Sequence, residues 1–232
     1  MKSDLRVPGW DFKKYREVSI VVPTIIVLFA LIGVIYAPQV FTIVIFVFCL
    51  LIWGLVLYFF RDPERKFQHL PNVAVSPGDG IVRDITTFRE KEYLDVDIIR
   101  IGIFLSIFDV HVQRAPLKGE INFVTHQKGK NHPAYSPAAS LENDQIVMGI
   151  KTEYGMIMVK QISGILARKC FNFVGPGDQI QSGQRYGLIK FGSRVELFLP
   201  PDARVLCSVG EKVKGGLTPV AEIRETNIQD DQ

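Results

Sequence analysis

Residues 18–36 and 40–60 carry no charged side chain, and nothing else in the chain constrains its fold so strongly. Each run is close to the ~20 residues that a helix needs to cross the hydrocarbon core of a bilayer. Pro23 and Gly33 in the first run, and Gly54 in the second, are tolerated in membrane helices. Only Ala37-Pro38-Gln39 separates the runs, which leaves room for a tight reversal and predicts a helical hairpin. The first run is too long for the apolar core of a signal peptide and a second span follows at once, so the hairpin reads as a retained anchor. Lys2, Arg6, Lys13, Lys14 and Arg16 precede the first span, and Arg61, Arg65 and Lys66 follow the second. With no charge in the turn, the positive-inside rule puts both ends in the cytoplasm. Trp10, Tyr15, Trp53 and Tyr58 suit interfacial depth, although Trp53 equally suits packing between the helices. The expected organisation is an anchor over residues 1–60, with spans at about 18–36 and 40–60, and a domain over residues 61–232 on the cytoplasmic side of the cell (inner) membrane.

The chain of 232 residues is 47% hydrophobic, but the excess lies in these runs, which leaves one domain of ordinary size. A formal charge of +3, without a long basic run or interleaved aromatics, gives no support for nucleic-acid binding and suits an anionic membrane surface. Cys49, Cys170 and Cys207 are odd in number and widely spaced, so neither a disulfide framework nor a metal site is expected.

Residues 61–72, with Pro63 and Pro71, read as a linker, and the remainder reads as mainly β. Residues 98–105 form an apolar run with β-branched residues, 155–162 alternate in places, and 194–199 alternate polar and apolar as a half-buried strand should. Turn signals recur at 77–80, 175–178, 182–183 and 215–216. Short strands at such spacing predict a compact β barrel or sandwich. Residues 126–143, with two prolines and many small polar residues, read as a loop of the length that often carries function. No long helix is expected beyond the hairpin, and 162–170 suits a short helix or another strand. Gly177-Asp178 with Gly183-Gln184, and Gly210-Glu211 with Gly215-Gly216, share a G-[DE]-x4-G spacing that reads as an internal strand–turn repeat.

Several residues suit chemistry. Ser193 follows Gly192, and a serine hydroxyl can attack the carbonyl before it; glycine suits that position because it tolerates unusual backbone angles. Ser76-Pro-Gly-Asp-Gly80 is a turn in which Asp79 either caps the backbone or orients a base. Asp109 and His111 would share a face on a strand, and a histidine beside a carboxylate is often tuned. Arg168 suits bidentate binding of a carboxylate or phosphate, whereas Arg185 suits a solvated face. His69, His126 and His132 show no partner by spacing and read as surface or loop residues.

Taken in order, these motifs resemble the short, pyruvoyl-dependent phosphatidylserine decarboxylase proenzymes. The resemblance runs from Phe60-Arg-Asp-Pro-Glu-Arg65 through Ser76-Pro-Gly-Asp-Gly80 and Leu105-Ser-Ile-Phe-Asp-Val-His-Val-Gln-Arg-Ala-Pro116. It continues through Glu142-Asn143, Gly164 to Arg168, Gly177-Asp178, Gly183-Gln-Arg-Tyr-Gly187 and Phe191-Gly-Ser-Arg194. Each motif is weak alone, but their shared order is specific. Many relatives have alanine where Gly78 stands, and some carry a second histidine where this chain has Arg114. A mechanism that divides its work between two histidines therefore does not transfer.

The resemblance implies self-cleavage between Gly192 and Ser193, giving a β fragment (1–192) and an α fragment (193–232) that stay associated. Ser193 would become the pyruvoyl cofactor and form a Schiff base with the substrate amine. His111 is the implied base, Asp79 its orienter and Asp109 a rival orienter, with Arg168 and Arg114 as candidate substrate-binding residues. No metal is implied. The implied substrate is phosphatidylserine in the bilayer, with ester or ether tails, and the product phosphatidylethanolamine; a homo-oligomer is compatible with the sequence. The resemblance also implies a barrel-sandwich hybrid of lipoyl-like character. The rival reading is a non-enzymatic lipoyl- or biotinyl-like carrier or bridging module, for which Met158-Val-Lys160 is a poor attachment signature.

Overall fold

The computed structural model describes residues 12–66, 70–136, 138–165, 170–189 and 192–224. Lys2, Arg6, Trp10, His69 and Arg168 lie outside these, as does the side chain of Tyr15. The chain divides into two compact units, with the sequence boundary between Pro63 and Glu64.

The first unit is a pair of helices, α1 (Phe12–Tyr36) and α2 (Val40–Phe59). Over Arg16–Tyr36 and Val40–Phe59 they are long and apolar enough to cross a membrane. The Thr42 hydroxyl accepts the Gln39 N–H (3.1 Å) and so closes the first turn of α2 after the reversal. Trp53 lies between the helices and donates its indole N–H to the Thr24 hydroxyl (2.9 Å). Phe29, Phe41 and Leu51 point outward from the pair.

The second unit is β-rich. Its strands are β1 (Val73–Val75), β2 (Gly80–Glu90), β3 (Val96–Leu105), β4 (Val112–Arg114), β5 (Gly119–Gln127), β6 (Gln145–Thr152) and β7 (Gly155–Ile162). They continue with β8 (Cys170–Asn172), β9 (Gln179–Ile180), β10 (Arg185–Ile189), β11 (Ser193–Leu199), β12 (Arg204–Val205), β13 (Lys212–Val213) and β14 (Pro219–Glu222). One sheet has the order β13-β2-β3-β11-β7-β6-β5-β9, and two small sheets have the orders β1-β14-β12 and β4-β10-β8. The three strands expected from the sequence are β3, β7 and β11, and the long loop is interrupted by a single turn of helix, α3 (Ala139–Glu142).

The G-[DE]-x4-G spacing corresponds to a structural repeat. Gly177 N–H donates to the Ile121 carbonyl and Ile121 N–H to that of Asp178; Gly210 pairs with Val82, and Val82 with Glu211, in the same way. Gly183 donates to the Ala115 carbonyl as Gly216 does to that of Ser76. The two halves also bond to each other reciprocally, Val75 N–H to the Pro116 carbonyl and Arg114 N–H to that of Pro77. Gly177, Gly183, Gly210 and Gly216 all have positive φ, which explains glycine at these turns.

The main core lies on one face of the large sheet, where Ile101, Ile103, Leu105, Val159, Val195 and Leu197 pack together. The other face carries a smaller cluster of Ile98, Val147, Met158 and Phe198. Both faces of β11 are therefore covered, and the strand is buried along its whole length. This corrects the half-buried expectation for residues 194–199: the polar residues of the alternation face a buried ionic cluster, not water.

Candidate active site

Ser193 begins β11 and pairs with Leu105 at the end of β3, between the two strands that flank it. It is fully buried, and its hydroxyl has no hydrogen-bond partner among the described residues. Gly192 has φ +63°, in the left-handed region, with open space where a Cβ would stand. Its carbonyl oxygen lies against the backbone of Gly164: a Cβ there would sit only 2.0 Å from that oxygen and 3.3 Å from Ala134 Cβ. The carbonyl that Ser193 would attack is thus held against a residue that has no side chain.

Gly164 is held in turn by the long loop. At the neck of the loop, Lys130 N–H donates to the Glu142 carbonyl (2.7 Å) and Asp144 N–H to that of Lys130 (3.0 Å). The buried Asn143 amide donates to the carbonyls of His132 and Ser163 (both 2.8 Å) and accepts the His132 N–H (2.7 Å). One side chain therefore ties the returning loop to the residue before Gly164. Glu142 accepts from Lys130 Nζ (2.8 Å) and contacts His132 Nε2 (3.1 Å). The Glu142-Asn143 pair acts as the staple of the loop.

His111 is fully buried just before β4. Its backbone carbonyl accepts the Ile189 N–H (3.3 Å), at the end of the strand that leads toward Gly192. Its Nδ1 lies 2.9 Å from the Asp109 carbonyl, which can only accept. In the neutral ring Nδ1 therefore carries the proton and Nε2 the lone pair, the tautomer a base attacking through Nε2 requires.

The carboxylates are placed differently from the expectation. Asp109 lies in a turn, not a strand, and its carboxylate accepts the N–H (2.8 Å) and hydroxyl (2.7 Å) of Ser106. Asp79 forms a bidentate pair with Arg65 (2.7 and 2.8 Å) and accepts the Gly215 N–H (2.8 Å). The structure thus brings neither carboxylate to His111 Nδ1; the backbone of residue 109 occupies that nitrogen. Arg65 comes from the Arg-Asp-Pro-Glu-Arg segment, whose pairing with Asp79 has no spacing signal across the intervening residues.

Arg114 is buried in β4 and donates to the Gly183 carbonyl (3.1 Å), so its side chain ties that strand to the turn at Gly183. Arg185 is exposed. His126 contacts the Asp144 carboxylate at 2.9 Å, so both it and His132 have acidic partners in or beside the loop. Lys160, the lysine a carrier would need, lies within β7 with its ammonium over the Phe198 ring. Among the described residues no group of His, Cys, Asp and Glu could hold a metal ion.

The sequence reading missed an ionic cluster beside Ser193. Arg194 bonds both oxygens of Asp84 (2.8 and 2.7 Å) and Glu196 (2.7 Å). Arg100 reaches Asp84 (3.2 Å), and Ser140 of α3 donates to Glu196 (2.7 Å). Burial disfavours the Arg194 charge, but Glu196 and Asp84 outweigh it and hold the guanidinium protonated. Gly102 on β3 makes room: a Cβ there would lie 2.0 Å from Arg194 Nη2.

The family model for phosphatidylserine decarboxylase matches residues 53–221. A phosphatidylserine decarboxylase proenzyme of Carboxydothermus hydrogenoformans is 42% identical over 175 residues, which is 75% of this chain and 82% of the relative. Its counterpart from Desulfotalea psychrophila is 38% identical over 182 residues (78% and 85%), and that of Mycolicibacterium smegmatis 41% over 169 (71% and 73%). With the motifs in their expected order on this scaffold, the chain belongs to the phosphatidylserine decarboxylase family.

Proposed function

We propose that this chain is a self-processing decarboxylase that converts phosphatidylserine to phosphatidylethanolamine and CO2 with a pyruvoyl group made from Ser193. The observation that carries the reading is the arrangement around one bond. A fully buried, unpartnered serine hydroxyl follows a left-handed glycine whose carbonyl is pressed against Gly164. Leaving a buried hydroxyl unpaired costs about 1–3 kcal/mol, so its retention suggests a use.

In maturation His111 serves as the base, its tautomer set by the Asp109 carbonyl. The Ser193 oxygen bonds to the Gly192 carbonyl carbon as the peptide C–N bond breaks, giving an ester and a free amine. Removal of the Ser193 α-proton with loss of the Cβ–O bond releases residue 192 as a carboxylate and leaves dehydroalanine. That residue tautomerises to an imine, adds water and releases ammonia, which leaves the pyruvoyl group. Asp79, paired with Arg65, holds the 76–80 turn, whose Gly78 lies beside Gln113 and Val195.

The pyruvoyl ketone supplies, through a Schiff base with the substrate amine, the electron sink for the departing carboxylate. His111 then holds the proton that replaces it. The fragments remain associated because β11 lies between β3 and β7, β13 pairs with β2, and β14 with β1. The reciprocal turn repeat supports a lipoyl-like barrel-sandwich scaffold, and the position of Lys160 argues against its use as a carrier. The helix pair anchors the chain in the cell membrane with the β domain on the cytoplasmic side, where positive flanks belong.

The test is a gel of purified variants. Ser193→Ala stays a single inactive chain, and His111→Ala splits more slowly by about a hundredfold or more, the usual minimum for loss of a general base. Splitting of Ser193→Ala overturns the proposal, and normal splitting of His111→Ala overturns the role of the histidine.

A further inference from the structure

Four large apolar side chains stand exposed on three loops around the Gly192–Ser193 bond. They are Ile107 (37%), Phe108 (61%), Tyr135 (69%) and Ile165 (53%). Ile107 and Phe108 follow Leu105, whose backbone pairs with Ser193. Tyr135 follows Ala134 and Ile165 follows Gly164; Gly164 lies against the Gly192 carbonyl and beside Ala134. Single exposed apolar residues need no explanation, but several gathered around one buried bond mark an interaction surface.

Local bonds hold these loops in place. Asp109 ties the 106–109 turn to Ser106, and Asn143 ties His132 to Ser163. The Phe104 and Tyr135 rings meet edge to face, 6.4 Å between centroids, and the Arg83 guanidinium lies 5.4 Å from the Phe104 centroid. A cation therefore stands at the edge of the apolar rim.

We propose that this rim of Ile107, Phe108, Tyr135 and Ile165, with Arg83 beside it, inserts into the interfacial layer of an anionic bilayer. A substrate headgroup then passes from the lipid surface to the pyruvoyl position at residue 193 while its tails stay in the membrane. The proposal rests on the reading of the chain as a phosphatidylserine decarboxylase and adds the surface by which it meets its substrate. Two observations favour a bilayer over a protein partner. The same chain carries two helices whose outward apolar faces suit lipid. Aromatic and aliphatic side chains beside an arginine also match what sits at interfacial depth opposite anionic headgroups.

The test uses the full chain reconstituted in vesicles of phosphatidylcholine and phosphatidylserine. In Phe108→Trp, the fluorescence gained over the parent is expected to be quenched by phosphatidylcholine brominated on its acyl chains and shielded from aqueous acrylamide. Quenching by acrylamide alone overturns the proposal, as does shielding that depends on protein concentration rather than lipid, the mark of a contact between copies. This arm needs no turnover, so it stands even if the chain proves inactive. The combined variant Phe108→Ser, Tyr135→Ser, Ile165→Ser is then compared on two substrates in the same proteoliposomes. Turnover of bilayer phosphatidylserine falls about tenfold or more, the scale of losing even one buried apolar side chain. Turnover of water-soluble dihexanoyl phosphatidylserine changes less than about twofold. Equal losses on both substrates, or no loss on either, contradict the rim as a docking surface.

Discussion

The Gly192 carbonyl and Gly164 approach so closely that position 164 has no room for even one methyl group. Gly164→Ala must therefore push the carbonyl out of place or move the loop that carries Ala134. This variant is expected to fold, because the clash lies at a loop rather than in the core, but to split at least tenfold more slowly, as a misplacement of about 1 Å can cost a reaction about a hundredfold. Splitting at the parental rate, followed on a gel after synthesis, would remove Gly164 from the account. At this scale the sequence marks the residues where chemistry and motif coincide, and the structure buries Ser193 and His111 and gives Gly192 a left-handed backbone. The sequence was not legible where a contact joins distant segments. Neither the Arg65–Asp79 pair nor the approach of Gly164 to Gly192 has a local spacing signal. The Asp109–His111 spacing pointed to a shared strand face, but the Asp109 carboxylate turns back to Ser106 and its carbonyl does the orienting.

At the scale of elements, β11 shows how a correct strand assignment can carry a wrong burial. Arg194 and Glu196 alternate with Val195 and Leu197, the pattern of a strand with one wet face. Yet Arg194 is 5% exposed and Glu196 is fully buried, because neighbouring strands and α3 cover that face. Alternation reports which side chains share a face; it does not report what the face meets. Removing one partner of such a buried cluster leaves uncompensated charge. Glu196→Ala should destabilise the protein by about 3–5 kcal/mol, read as a lowered thermal midpoint of the detergent-solubilised chain. A midpoint unchanged from the parent would mean that water screens the cluster. The spaced glycines were a truer guide, since turns that need positive φ leave a residue-level mark, and both copies of the strand–turn repeat appear at them.

At the scale of the whole molecule, the two apolar runs and the β-rich remainder follow from composition and turn spacing, because helix length and turn chemistry are local properties. The sheet order was beyond reach, since the neighbours of β11 come from residues far earlier in the chain. That order bears on the proposed self-cleavage: the short segment after Gly192 supplies a strand between β3 and β7, so the two fragments are expected to stay together after a cut. The most direct measurement is the intact mass of the purified wild-type chain. Self-processing at this bond yields two fragments divided between residues 192 and 193, the smaller beginning with a keto acid in place of serine. An active protein of one undivided mass, with Ser193 unchanged, would contradict it.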